Sequence, residues 1–186
     1  INDFSEIGLD YWVSGYGTGG TVSGVGRVLR EKSPQTKIIL SEPENASLIG
    51  SKLKQDRHAD NTPSSSHSSW NPHLIQGWTP DFIPFVLQET IDNHYFDELI
   101  PISGEQGIVW AKRLARAEGI ITGISGGSTF AVAMELAKAA PPDSNILCML
   151  ADTGERYLSS PLFDDIPEEM TEDEQKISGS TPNYQL

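Results

Sequence analysis

The sequence has 186 residues, enough for one domain with a sizeable hydrophobic core. Its 26 acidic and 13 basic side chains give a net charge of −13, which argues against a nucleic-acid partner. No run of residues is long and apolar enough to cross a membrane. The single cysteine cannot form an internal disulfide, which fits a reducing compartment and predicts a cytoplasmic location. The sequence starts at Ile1 rather than Met, so a targeting segment cannot be read from it.

The first predicted strand and the first predicted helix enclose a glycine-rich segment. Residues 11–15 are a predicted buried strand, residues 21–32 are a predicted helix, and Gly17-Thr18-Gly19-Gly20-Thr21 joins them. Glycines let the backbone approach a ligand, while the free N–H groups and the dipole of the following helix attract an anion. The hydroxyls of Thr18 and Thr21 add two donors, so the segment predicts a site for a phosphate monoester. The same cluster is also typical of a plain turn, and that alternative stays open.

Nucleotide binding is an alternative interpretation of the same segment. Gly15, Gly17 and Gly20 have the spacing of the glycines in a dinucleotide-binding motif. Glu42 lies close to the offset at which a ribose-binding carboxylate is expected. The segment has no Gly-Lys-Ser or Gly-Lys-Thr, which excludes a triphosphate-binding loop.

The next part of the chain combines a short apolar run with a long polar segment. Residues 37–41 form a predicted strand that Pro43 ends. Residues 51–71 are polar and partly serine-rich, which predicts a long surface loop. The two histidines of this loop, His58 and His67, are expected to face solvent. They do not have the spacing of metal ligands, so no metal site is predicted.

The second half of the chain repeats the alternation of strand and helix. Residues 99–102 form a predicted strand, and Ser103 is placed to cap a helix over 104–118 that ends at Gly119. The apolar side of this helix is assigned to Gly107, Val109, Trp110 and Leu114. The alternation predicts an α/β fold with an open, mostly parallel twisted sheet and helices on both faces. Ligands bind beyond the carboxyl ends of the strands in such sheets.

A second glycine-rich segment precedes the last predicted elements. Gly123-Ile124-Ser125-Gly126-Gly127-Ser128-Thr129 is predicted to be a loop that opens a helix over 130–140. Residues 145–150 are strand-like, and Cys148 within them is predicted to be a buried strand residue rather than a nucleophile. The end of the chain is acidic, with a predicted helix over 168–176 and no recognisable chemistry.

Two further segments complete a pattern with the two glycine-rich ones: His73-Leu74-Ile75-Gln76-Gly77 lies between them, and Thr153-Gly154-Glu155-Arg156-Tyr157-Leu158-Ser159 follows them. The order and the spacing of these four segments resemble the C-terminal half of the cysteine synthase (O-acetylserine sulfhydrylase) family. The resemblance implies a fold type II enzyme of the tryptophan-synthase-β-like group, which uses pyridoxal 5′-phosphate (PLP). It implies a PLP-binding α/β domain over 1–163 that lacks the family's N-terminal half, followed by an acidic tail over 164–186.

The resemblance also implies roles for nine residues. The cofactor phosphate maps onto Gly17, Thr18, Gly19, Gly20 and Thr21, the pyridine nitrogen onto Ser125, and the mouth of the substrate pocket onto His73, Gln76 and Gly77. A serine hydroxyl can bond a neutral pyridine nitrogen but cannot hold a positive charge on it. This weaker electron sink favours replacement at the β carbon over transamination, as when sulfide replaces the acetate of O-acetylserine to give L-cysteine. Spacing alone favours a helix cap for Ser125, whereas the four-segment pattern favours the cofactor contact.

Two departures from the family pattern bear on the expected activity. After Gln76-Gly77 the family usually has a short glycine-containing stretch, whereas this sequence has Trp78-Thr79-Pro80-Asp81. A narrower mouth, a different leaving group and ordinary packing would each explain that change. The family's Schiff-base lysine lies far upstream of the phosphate segment, but residues 1–16 contain no lysine. The sequence is therefore expected to be the C-terminal portion of a longer enzyme.

Four functions remain open from the sequence, and one of them is the nucleotide binding described above. The first is a portion of a PLP-dependent cysteine synthase that acts on a small amino-acid substrate. A cystathionine β-synthase-like enzyme is the nearest enzymatic alternative, and a non-catalytic half that binds a phosphate ligand or a partner is the third. The resemblance further implies a homodimer and, in the family, a contact with serine acetyltransferase. Arg156 and Tyr157 are interpreted as structural residues of the turn after the last strand.

Overall fold

A parallel four-stranded sheet organises residues 1–180, the part of the chain that the computed structural model describes. Its strands are β1 (Tyr11–Gly15), β2 (Lys37–Pro43), β3 (Glu98–Ile102) and β4 (Ile146–Cys148). The spatial order is β3-β2-β1-β4, and every neighbouring pair is parallel. The chain moves outward from β1 to β2 and β3 and then returns to the other side of β1. Open α/β sheets bind ligands where the strand order reverses in this way.

Helices cover both faces of the sheet, which confirms the predicted fold class. Those formed within residues 1–180 are α1 (Gly20–Lys32), α2 (Phe85–Asp92), α3 (Gly104–Glu118), α4 (Ile124–Ala139) and α5 (Glu172–Gly179). Successive side chains of a strand point to opposite faces. Trp12 and Ile38 therefore pack with α1 and α2, whereas Val13 and Ile39 pack with α3 and α4. None of the helices in this part of the chain has both the length and the apolar composition needed to cross a membrane.

The predicted helix over 104–118 is confirmed at both ends. The Ser103 hydroxyl accepts a hydrogen bond from the N–H of Gln106 at 3.1 Å, and Gly119 ends α3 with a φ of 69°. The prediction of its buried side is wrong at Val109, which is 48% exposed. Ala111 is buried instead, because it lies one turn after the buried Gly107.

The second glycine-rich segment is helical, so its prediction as a loop is wrong. α4 begins at Ile124 rather than at residue 130, and all residues from 124 to 129 are buried. Their small side chains let α4 approach α3 closely: a β carbon at Gly127 would overlap the carbonyl oxygen of Gly107. Packing between the two helices overrides the low helix propensity of glycine at this point.

The polar segment 51–71 is irregular but is tied to the core by hydrogen bonds. The buried Gln55 accepts the N–H of Ile83 at 3.0 Å through its Oε1. His58 is exposed as predicted, whereas the prediction for His67 is wrong, because His67 is only 4% exposed. Its Nδ1 accepts the N–H of Ser69 at 3.2 Å, a contact that allows the imidazole to be buried.

The last described elements are shorter or later than predicted. β4 covers three residues of the predicted strand 145–150, and Cys148 in it is half-buried, with burial raising the pKa of its thiol. α5 begins at Glu172 rather than at residue 168, because a capping box between Thr171 and Glu174 fixes its start. No residue of α5 is buried. Residues 181–186 of the predicted tail lie outside the described residues.

Candidate active site

A cavity of about 350 Å³ lies beyond the carboxyl ends of β1 and β4, where the strand order reverses. Its volume falls within the roughly 300–1,000 Å³ of small-molecule sites. Four stretches of the chain contribute to its walls: residues 14–22, residues 76–78, two residues of α4, and the segment that follows β4. The fold therefore brings both glycine-rich segments to one cavity, although they are far apart in the sequence.

The first glycine-rich segment forms the start of α1. Gly19 precedes the helix with a φ of 89°, in the left-handed region that favours glycine. The first bond within the helix is donated by the N–H of Ser23 to the carbonyl of Gly19 at 2.9 Å. Three N–H groups therefore have no acceptor within the helix: those of Gly20, Thr21 and Val22. The exposed side chains of Thr18 and Thr21 add hydroxyl donors at the positive end of the helix dipole, so the cluster suits an anion.

Two neighbouring glycines of this segment meet different surroundings. A β carbon at Gly19 would lie 2.7–2.8 Å from backbone and side-chain atoms of Leu87, so this glycine makes room for α2. A β carbon at Gly20 would meet nothing closer than the Thr18 hydroxyl, at 3.8 Å. Gly20 is therefore the position in the segment whose missing side chain leaves space for a ligand.

Ser125 lies in the first turn of α4 and lines the cavity together with Thr129, one turn later. It is 5% exposed. The residue before the helix is Gly123, which has no side chain to cap it, so Ser125 is not the helix cap that spacing alone favoured. The Thr129 hydroxyl donates to the backbone carbonyl of Ser125 at 3.1 Å, one turn earlier in the helix.

Asp152 is a cavity residue that the sequence interpretation missed. Its Oδ1 accepts the N–H of Gly123 at 3.1 Å, and its Oδ2 accepts the hydroxyl of Tyr157. Burial and this contact with a carboxylate raise the pKa of Tyr157 to about 12. Both residues line the cavity, so Tyr157 has a structural role in the turn, as interpreted, and also forms part of the wall. The available signal was the position of Asp152 just after a predicted strand, where ligand sites lie.

The three residues assigned to the substrate mouth divide between two cavities. Gln76 and Gly77 line the main cavity together with Trp78. His73 instead lines a separate cavity of about 460 Å³ beside the start of α3. A hydrogen bond of 3.1 Å joins its Nε2 to the carbonyl of Thr79. The fold therefore does not bring His73 to the cavity that holds the other predicted site residues.

Glu42, on which the nucleotide alternative depended, is engaged within the protein. It is 1% exposed, and its Oε2 accepts the hydroxyl of Tyr16 at 2.6 Å and the N–H of Ile49 at 3.1 Å. Its Oε1 accepts the N–H of Gly50 at 2.9 Å. Burial and the nearby carboxylate raise the pKa of Tyr16 well above its usual value. A carboxylate held in this way is not available to a ribose, so this part of the alternative is wrong.

The described part of the cavity wall contains no lysine. The first lysine of the chain, Lys32, ends α1 and is separated from the cavity by the helix, roughly 20 Å for its 13 residues at 1.5 Å each. Residues 1–180 also contain no group of three or more His, Cys, Asp or Glu side chains that could hold a metal ion. The groups that the cavity does offer are N–H and hydroxyl donors at one end and the Ser125 hydroxyl in the first turn of α4.

Comparison with known proteins identifies relatives over most of the chain. The sequence profile described as "Pyridoxal-phosphate dependent enzyme" matches residues 4–152. The O-ureido-L-serine synthase of Streptomyces lavendulae is 39% identical over 168 residues, which cover 90% of this chain and 46% of that protein. Cysteine synthase B of Campylobacter jejuni is 41% identical over 155 residues, which cover 83% of this chain and 44% of that protein.

A solved structure agrees with these sequence matches. A crystal structure of O-ureido-L-serine synthase has a TM-score of 0.78 to this chain at 38% identity and covers 95% of this chain. The match covers 49% of that synthase, so the chain spans about half the length of the relatives it matches. The profile match over most of the chain confirms the resemblance at the level of the family and its cofactor. The chain belongs to the family of pyridoxal-phosphate dependent enzymes.

Proposed function

We propose that the cavity beyond the carboxyl ends of β1 and β4 is the cofactor site of a PLP-dependent enzyme of the cysteine synthase type, which replaces the β substituent of an activated serine. The observation that carries this proposal is the meeting of two helix N-termini at one cavity. The start of α1 offers free N–H groups, and the start of α4 offers the Ser125 hydroxyl. One end of the cavity thus suits a phosphate, and another suits a ring heteroatom.

The residues present fit PLP by their donor chemistry. The phosphate would be held by the five residues Gly17, Thr18, Gly19, Gly20 and Thr21, and the pyridine nitrogen by Ser125. When bound, PLP supplies an electron sink that lets a substituent leave the β carbon of an amino-acid substrate. The open space beside Gly20 allows the backbone to approach an anion closely.

Ser125 is a better partner for a pyridine nitrogen than the nearby carboxylate. Both oxygens of Asp152 accept hydrogen bonds from within the protein, one from Gly123 and one from Tyr157. Asp152 therefore orients the start of α4 and leaves the ring contact to Ser125. A hydroxyl does not stabilise a protonated pyridine as a carboxylate does, and this favours β-replacement over transamination.

Residues 1–163 form the cofactor-binding portion in this proposal, and the following residues take no part in it. Leu162 is 2% exposed and packs in the core beside α4, whereas no residue from 164 to 180 is buried. Because no lysine lines the described cavity, we propose that the lysine that binds PLP covalently comes from outside these residues.

The identity of the incoming nucleophile is a separate part of the proposal. Sulfide, which gives L-cysteine from O-acetyl-L-serine, is supported by the relatives that are cysteine synthases. Hydroxyurea is a second candidate, because its addition to the β carbon would give O-ureido-L-serine, the compound that names another relative. A cystathionine β-synthase-like reaction would use homocysteine instead.

Cofactor binding can be tested on the 186-residue chain itself. Titration with PLP, followed by quenching of tryptophan fluorescence, is expected to show one saturable site. Pyridoxal, which lacks the phosphate, should bind at least tenfold more weakly, and adenosine monophosphate should not compete. Equal binding of PLP and pyridoxal, or tighter binding of the nucleotide, would contradict the proposal. The nucleophile is tested separately, by mass spectrometry of the products from O-acetyl-L-serine with sulfide, homocysteine or hydroxyurea in the presence of a lysine-bearing N-terminal half.

A further inference from the structure

We infer that Trp70 and His73 are positioning residues that hold the indole of Trp78 at the wall of the cofactor cavity. The inference rests on the proposed function, because it concerns the shape of the same cavity. Trp70 and His73 do not line that cavity. They act through Thr79, the residue that follows Trp78 in the chain.

The turn formed by Gly77, Trp78 and Thr79 lies directly along the backbone that enters the phosphate segment. A β carbon at Gly17 would overlap the carbonyl oxygen of Gly77, and one at Gly15 would overlap the indole of Trp78. Between them, the N–H of Thr79 donates to the carbonyl of Tyr16 at 2.8 Å. The close approach of this turn therefore explains why positions 15 and 17 are glycines.

Thr79 is held in an unfavourable conformation. Its φ is 36°, which is rare for a residue branched at the β carbon, and its side chain is 1% exposed. A conformation of this kind persists only where the surrounding structure imposes it, and such residues cluster at binding and catalytic sites.

Two side chains impose this conformation by binding one carbonyl. The indole N–H of Trp70 donates to the carbonyl of Thr79 at 3.1 Å. His73 Nε2 lies at the same distance from that oxygen and is its second donor, because a carbonyl oxygen can only accept. The other ring nitrogen of His73 is buried without a partner in residues 1–180, so the imidazole is used for this contact alone.

The consequence for the cavity is a fixed indole. A shift of Thr79 would break both hydrogen bonds to its carbonyl and would carry the adjoining Trp78 away from Gly15. With the peptide held, Trp78 presents a rigid apolar wall beside the phosphate segment and limits the size of the group that can be accommodated there. His73, expected from the resemblance to contact substrate, instead acts one layer behind the wall.

The test compares variants that remove one donor and keep the packing. Trp70→Phe keeps an aromatic ring but loses the N–H, and His73→Leu loses the Nε2 donor. Each should weaken PLP binding to the chain by roughly 3- to 10-fold, the effect of one hydrogen bond. The double variant should be little worse than either single one, because both donors serve one carbonyl. His73→Gln, which restores an N–H donor, should recover part of the loss.

Trp110→Phe is the matched control. Trp110 lies on α3, where it packs edge-on against Phe130 at 5.7 Å, and it does not line the cavity. Its loss should change PLP affinity by less than twofold. If the parent binds PLP while Trp70→Phe and His73→Leu lower the urea midpoint but leave the affinity within twofold, their role is only structural and the inference is overturned.

A second measurement needs no ligand and so remains decisive if the parent chain does not bind PLP. Gly15→Ala should lower the urea midpoint in the parent, because its methyl group would overlap the indole. In the Trp78→Ala background the same change should have no effect on the midpoint. An equal loss in both backgrounds would mean that Trp78 does not lie against Gly15, and the inference would fail. If these urea midpoints are as expected but the parent does not bind PLP, the proposed cofactor site is overturned instead.

Discussion

Asp152 accepts a hydrogen bond from the N–H of Gly123 at 3.1 Å and so joins the segment after β4 to the start of α4. Gly123 precedes α4 and offers no side chain to cap it. The carboxylate supplies a negative group at the positive end of the helix dipole, a favourable place for it. Tyr157 donates to the second oxygen, so one side chain links the start of α4 to the segment that follows β4.

Replacement of Asp152 by alanine should therefore weaken both the fold and the cavity. We expect the free energy of unfolding to fall by about 1–2 kcal/mol, the effect of losing a helix cap. PLP affinity should also fall, because the turn that carries Ser125 loses its anchor. Urea denaturation and PLP titration measure the two effects. The control is Glu155→Ala, an exposed carboxylate in the same segment, which should change stability by less than about 0.5 kcal/mol. An Asp152→Ala protein as stable as this control would contradict the linkage.

Two tyrosines should make stability depend on alkaline pH. Burial, with a contact to Glu42, raises the pKa of Tyr16 above its usual 10.0, and burial with a contact to Asp152 raises that of Tyr157 to about 12. In the unfolded chain both hydroxyls lose their protons near pH 10, while the folded protein keeps them. Stability contributed by these groups is thus fully present below about pH 10 and is lost as the pH rises toward 12.

Urea midpoints measured between about pH 8 and pH 11.5 test this dependence. The urea midpoint of the parent should stay constant from about pH 8 to pH 10 and should fall above about pH 10. Tyr16→Phe should be less stable at neutral pH and should have a shallower decline, since one of the two titrating groups is gone. A Tyr157→Phe variant is measured in the same way. If the urea midpoint falls with pH as steeply in both variants as in the parent, groups other than these two tyrosines cause the loss of stability.

Two substitutions at the start of α1 should lower the affinity for PLP without destabilising the fold. Thr21→Val keeps the shape of the side chain but removes its hydroxyl, and should weaken PLP binding by about 1.5–3 kcal/mol, the worth of a hydrogen bond to a charged group. Gly20→Ala adds a methyl group that meets no protein atom closer than 3.8 Å, so it should fold normally and still bind PLP more weakly. Fluorescence titration gives the affinity and thermal melting gives the stability. Unchanged affinity in both variants would place the phosphate elsewhere.

The parts of the fold that local patterns determine could be predicted from the sequence. Strand β1 and helix α3 were predicted with their observed bounds, because an apolar run, a serine cap and a terminal glycine are local signals. Helix α2 was not predicted: it is only eight residues long, follows Pro84, has no side-chain cap, and exposes Phe85. The burial of His67 was also missed, because it depends on partners that the loop brings together only when folded.

In the candidate site, the hydrogen-bond donors could be predicted from the sequence, but the long-range contacts that position them could not. Free N–H groups at a glycine-rich helix start can be predicted from the sequence, and the structure has them at Gly20, Thr21 and Val22. The close approach of Trp78 to Gly15 joins segments more than sixty residues apart, and no local pattern reports such a contact. Ser125 was assigned to a loop because its glycine neighbours disfavour a helix, a preference that packing against α3 overrides.

Ser125→Asp separates a ring contact from a purely structural role. If Ser125 faces the pyridine nitrogen, a carboxylate at this buried position should stabilise the protonated ring, because an opposite charge nearby favours the charged form. The nitrogen resonance of PLP labelled at that atom should then move to the protonated range in Ser125→Asp and remain in the neutral range in the parent. In the complete enzyme, β-replacement should fall and transamination should rise.

Two further variants serve as controls for Ser125→Asp. Ser125→Ala should bind PLP with its nitrogen still neutral. Ser128→Ala changes a serine on the same helix whose hydroxyl donates to the carbonyl of Ile124 at 2.9 Å and does not line the cavity, so it should leave the resonance unchanged. A nitrogen resonance that is the same in Ser125→Asp and in the parent would mean that Ser125 serves only the first turn of α4.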